Sequence, residues 1–209
     1  MKKRFICMLV LFVFLTACKS PLESQPEKET ELITTLHASW GYNYRDVEEL
    51  TENSDYIAIV NVKESESFYY EILPKTLYTV ETTQSIYGET DDVQLVFTGG
   101  VFEDKTVELS DDPLMSIGDS FLVFARKNDD GTYTVLSGPQ GRFVIEDDCV
   151  YSLNAVDKQS RSVNRSSSNI MVDGVPLDDF IESVEGYLSN TVITEESESA
   201  QNDMADTSE

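Results

Sequence analysis

The sequence predicts a mainly β protein, a barrel or sandwich of short strands with a short N-terminal helix and a C-terminal amphipathic helix. Three observations lead there. Apolar residues make up 40% of the 209 residues and come in short bursts, the pattern of strands. Asn128-Asp129-Asp130-Gly131 separates two such bursts, and Asp-Gly is a hairpin signal because it tolerates positive φ. Leu177, Phe180, Ile181, Val184 and Leu188 then fall at helical spacing, as one buried face of a helix requires.

The chain begins with a basic segment, Met1 to Arg4, followed by an apolar run from Phe5 to Phe14 and then Leu15-Thr16-Ala17-Cys18. This is the three-part export pattern, and the run is short of the roughly 20 residues a membrane span needs. The last four residues resemble the lipobox of bacterial lipoproteins. That resemblance implies a signal peptide over 1–17, acylation of Cys18 with diacylglyceryl and palmitate groups, and a protein held by lipid on the extracytoplasmic face of a membrane. Two acyl chains anchor stably where one is marginal. Residues 18–31 read as a flexible stalk, 32–189 as one globular domain and 190–209 as a disordered acidic tail.

Within the domain, Tyr44 to Asn53 reads as a short helix carrying Val47 and Leu50. Tyr56 to Val62 is dense in Ile and Val, as expected of a strand covered on both faces. Leu77 to Tyr87 alternates, and Val93, Leu95 and Phe97 mark a third strand ending at Gly99-Gly100. Phe121 to Ala125 and Tyr133 to Leu136 flank the hairpin signal, and Phe143 and Ile145 turn through Asp147-Asp148 into Cys149 to Leu153. Asn154 to Asn169 is a polar loop with Lys158, Arg161 and Arg165; Ile170 to Val175 suggests a last hairpin around Asp173-Gly174. Pro176 and Asp178-Asp179 open the C-terminal helix.

The segment from Asp55 to Leu136, with Asp55-Tyr56-Ile57-Ala58-Ile59-Val60-Asn61-Val62, the long strand closed by Gly88, Val93 to Thr98 and Ile117 to Phe124, resembles the barrel of the netrin-like family and of uncharacterised bacterial surface proteins. The resemblance implies a small OB-like antiparallel barrel of five to seven strands. The metalloproteinase inhibitors of that family ligate zinc through a free N-terminal cysteine amine. An acylated Cys18 on a stalk does not supply one.

Charge and chemistry narrow the function. The formal net charge is -24, and loss of Lys2, Lys3 and Arg4 with the signal takes it to -27. No basic track exists for nucleic acid. Of the three cysteines, Cys7 leaves with the signal and Cys18 takes lipid, so Cys149 has no disulfide partner and is expected to be buried. His37 is the only histidine, which excludes multi-histidine metal sites, and no nucleophile elbow accompanies it. Five Asp-Asp pairs (Asp91-Asp92, Asp111-Asp112, Asp129-Asp130, Asp147-Asp148, Asp178-Asp179) bound strands or start a helix, where Asp stabilises turns without metal. No cofactor, metal site or enzymatic activity is assigned. Trp40, Tyr42 and Tyr44 form an aromatic cluster that either contacts a ligand or partner or plugs one end of the barrel. Gly138-Pro139-Gln140-Gly141 reads as a corner of the fold. The expected function is non-enzymatic recognition of an envelope or extracellular protein, with small-ligand binding (peptide, glycan or ion) as the alternative.

Overall fold

The computed structural model describes residues 32–103, 105–153 and 170–190. Cys18, the stalk, the loop at 154–169 and the acidic tail lie outside them.

The strands are β1 (Leu32–Leu36), β2 (Tyr56–Tyr70), β3 (Leu73–Tyr87), β4 (Val93–Thr98), β5 (Gly100–Phe102), β6 (Lys105–Leu109), β7 (Ser120–Lys127), β8 (Tyr133–Val135), β9 (Arg142–Glu146), β10 (Cys149–Ser152) and β11 (Asp173–Pro176). Helix α1 spans Val47–Glu52 and α2 spans 177–190. The Asp46 side chain caps α1 by accepting from Glu49 N at 2.9 Å, satisfying one orphan amide.

Eight strands form one sheet in the order β11-β10-β9-β7-β2-β3-β4-β8, and β8 pairs back onto β7. That return closes β7, β2, β3, β4 and β8 into a five-stranded barrel. The expectation of a wholly antiparallel barrel is corrected at one seam, because β4 and β8 are parallel at Leu95 and Tyr133. The reason is topological. Once β7 lies antiparallel to β2 and β8 turns back antiparallel on β7, β8 can meet β4 only in the parallel sense.

The apolar run of β2 is explained by two cores. Tyr56, Ala58, Val60 and Val62 point into the barrel with Val123 and Ala125 of β7. Ile57 and Ile59 point the other way with Leu122 and Phe124, under Phe180 and Val184 of α2. A strand buried on both faces shows no polar alternation. The wall of β2, β7 and β9 thus separates the barrel interior from a second core roofed by α2.

Two segments differ from the sequence reading. Asp173 and Gly174 lie inside β11, not at a hairpin tip; β11 pairs antiparallel with β10, with a register shift between Val150 and Tyr151. Gly174 takes φ +77 there, so the Asp-Gly pair serves an irregular strand in place of a turn. The stretch after Gly99 is not only loop. Gly99, at φ +113, turns the chain into β5, and β1, β6 and β5 make a small separate sheet in which β1 and β6 are parallel. Asp147 and Asp148, at φ +50 and +57, do form the two-residue turn joining β9 to β10, matching strand twist. Cys149 is half-buried, short of the burial expected, because it opens β10 beside that exposed turn.

Candidate functional site

The aromatic segment before α1 is pinned to the Gly138 corner. Trp40 Nε1 donates to Asp111 Oδ2 at 3.2 Å, and its ring occupies the space where a Cβ on Gly138 would stand, 2.2 Å from Trp40 Cη2. Gln140, 2% exposed, accepts from Tyr44 N at 2.9 Å and donates Nε2–H to Tyr44 O at 3.0 Å, an amide standing in for a strand neighbour. Tyr44 is buried in the second core. Tyr42 is 53% exposed, meets Tyr44 edge to face at 4.7 Å, and donates its hydroxyl to Glu49. The structure therefore brings the three rings to one corner but divides their surroundings: Trp40 half-buried, Tyr44 buried, Tyr42 alone exposed.

Beneath this corner lies a group the sequence reading did not select. Arg142 is 1% exposed. Its Nη2 donates to Asp112 Oδ1 at 2.7 Å and to Pro113 O at 2.7 Å, and the guanidinium lies 5.3 Å from the Phe97 ring centre and 5.0 Å from that of Phe121. Burial pushes the Asp112 carboxyl above its usual range and the Arg142 guanidinium below its own, while their mutual attraction opposes both shifts. Arg142 Nε and Asp111 Oδ1 are buried without a protein hydrogen-bond partner. The signal was in the alternation of β9. Phe143 faces the second core, so Arg142 must face the barrel side, where a charge requires a partner. The pair ties the segment after β6 to the barrel; it holds no nucleophile.

His37 Nδ1 lies 3.1 Å from Ser110 Oγ, joining the ends of β1 and β6 at an exposed position. No carboxylate orients the ring among the described hydrogen bonds, so the pair lacks the third member of a triad. Among the described residues, no group of three or more His, Cys, Asp or Glu side chains could hold a metal ion.

Two surface features stand at opposite ends of β2 and β3. Where β3 leaves the barrel and β7 turns into β8, a cleft of about 430 Å³ is lined by Glu89, Asp91, Asp92, Lys127, Gly131 and Tyr133, among others. Lys127 Nζ bonds Glu89 Oε1 at 3.0 Å and sits 5.6 Å from the Tyr133 ring centre, so carboxylates dominate this end. The Glu89 salt bridge and the neighbouring Tyr133 hold the Lys127 ammonium above its usual range. At the other end the β2–β3 hairpin turns through Glu71 and Ile72, exposing Tyr69, Tyr70, Ile72 and Leu73. No protein-family model matches the chain, and no curated protein matches it.

Proposed function

We propose that the protein is a bacterial lipoprotein, cut before Cys18, acylated there and held on the extracytoplasmic face of a membrane, whose barrel is a non-enzymatic recognition module for an envelope or extracellular protein. The Leu15-Thr16-Ala17-Cys18 pattern behind a basic and then apolar start supports the anchor. A closed barrel over the segment that resembles netrin-like domains supports the OB-type assignment, and in that fold the loop between the fourth and fifth strands borders the binding surface. Here that loop carries Gly131, which lines the acidic cleft.

The cleft is the observation that carries the recognition reading. It is concave, it lies at the end of the barrel away from the first described residue, and Glu89, Asp91 and Asp92 give it the sign to accept a cationic segment of a partner. Its volume overlaps the roughly 300–1,000 Å³ of small-ligand sites, so binding of a small ligand (peptide, glycan or ion) is the second reading; a metal ion has no support from the described side chains.

Cross-linking of the protein in its native membrane, read by mass spectrometry, separates the two. A single abundant partner, lost in an Asp91→Lys/Asp92→Lys variant, is the outcome expected. Self-links alone, or a partner indifferent to that charge reversal, would overturn the cleft as a protein-recognition surface. A Cys18→Ala chain is expected to move from the membrane to the soluble fraction.

A further inference from the structure

The end of the domain opposite the cleft is apolar. Ile72 is 87% exposed, Tyr70 63%, Leu32 62% and Val101 57%. These residues are far apart in sequence, and strand pairing brings their backbones to the same end of the domain, Val101 on the face of the small sheet opposite Leu32 and Phe102. Leu32 opens β1 opposite Lys105, Lys105 pairs with Phe102, and the Phe102 ring stacks on Tyr69 at 4.5 Å. Val101 N donates to Ser67 Oγ at 2.9 Å, so β5 runs alongside the hairpin toward its tip. The chain coming from Cys18 therefore joins the domain beside the aromatic tip.

From this geometry we infer that the hairpin tip, with Val101 and Leu32, rests in the headgroup region of the membrane that carries the lipid anchor. The inference rests on the anchoring reading of Cys18. Residues 18–31 span at most about 50 Å even fully extended, so Leu32 lies within that reach of the acylated residue. From Ser67 to Pro74 the only charged residue is Glu71, in a chain of net charge -24. A tip with so little charge gives anionic headgroups little to repel. Tyrosines beside Ile and Leu match the amphipathic level of the interface, where a ring can be buried and its hydroxyl wetted. Seated this way, the domain turns its acidic cleft away from the lipid.

The test uses the full lipidated chain, extracted and reconstituted into phosphatidylcholine vesicles with brominated acyl chains. An Ile72→Trp variant places an indole at the tip, and the wild-type emission supplies the baseline of Trp40. Val101→Trp is a second reporter on the neighbouring strand, and circular dichroism checks that both variants fold. The added emission is expected to be quenched about twofold or more relative to unbrominated vesicles, as for a side chain lying at the acyl boundary. Vesicle-bound protein with unquenched indoles at both positions would overturn the inference while leaving the anchor intact. Blue-shifted but unquenched emission would assign the tip to a protein or a second copy and overturn the lipid assignment. Recovery of both wild type and Cys18→Ala in the soluble fraction would remove the anchor and this inference with it.

Discussion

Arg142 is the residue on which the described structure concentrates most risk. Its charge is enclosed by Phe97 and Phe121 and answered by a single carboxylate, so removing either partner strands the other in a low dielectric. Arg142→Met is expected to lower unfolding free energy by about 3–5 kcal/mol, measured by urea denaturation. The Arg142→Met/Asp112→Leu double variant is expected to lose less than that single change, and a larger loss would show that the pair is not the source of the cost. Glu49 offers a surface counterpart. It accepts from the Tyr42 hydroxyl and from the backbone and side chain of Arg45, which pull its carboxyl down to about 2. A depressed carboxylate contributes stability above its unfolded value of about 4.3 and loses it as pH falls through the folded one. An NMR titration of the Glu49 carboxyl carbon is therefore expected to show a midpoint near 2; an ordinary carboxylate midpoint would mean that the Tyr42 contact does not persist in solution.

At the scale of elements, α2 is the roof of the second core. Phe180 packs on Phe143 at 5.4 Å and on Phe124 at 6.4 Å between ring centres, in the cluster that Leu50 of α1 also enters. Phe180→Ala is expected to cost about 3–5 kcal/mol, read by thermal or urea unfolding, and a cost below about 1 kcal/mol would mean that the helix does not dock. The α2 stripe was legible in the sequence because its period of 3.6 had nothing to compete with. The barrel strands were legible for another reason: Tyr56 to Val62 and Phe121 to Ala125 are short, apolar and rich in β-branched and aromatic residues, and the density of Ile and Val in the first points to a strand covered on both faces. The outer hairpin was not. Glu64 to Ser67 alternates acidic and hydroxyl residues with no apolar face, and its strand state comes from pairing with Thr76 to Thr79, a partner that periodicity does not reveal. The candidate site was legible only in its parts. Trp40 and the Gly138 corner were both visible, but the Trp40 ring against Gly138 is a contact across 98 positions, and only the fold brings it about.

For the whole molecule, charge sets the terms. The described ion pairs are Arg45–Glu49, Lys63–Glu81, Lys127–Glu89 and Arg142–Asp112, and the first three lie at the surface, where each is worth about 0–1 kcal/mol. Against them stands a net charge of -24, which destabilises a compact state by self-repulsion. Salt screens both, but repulsion acts between many carboxylates at separations near the Debye length of about 10 Å at 0.1 M, whereas the buried Arg142–Asp112 pair is barely screened. Repulsion therefore loses more than attraction does when salt is added. Raising NaCl is expected to increase the melting temperature by several degrees, since about 1 kcal/mol moves it by roughly 2–4 °C in a chain of this size. Calorimetry from low to moderate salt checks this, with sodium sulfate excluded because it strengthens burial by another route. A melting temperature that falls would mean that the three surface pairs outweigh the repulsion among the remaining acids. The Lys127–Glu89 pair at the cleft would then be the first to substitute, because it combines a stabilising role with the only described cation among the carboxylates lining that cleft.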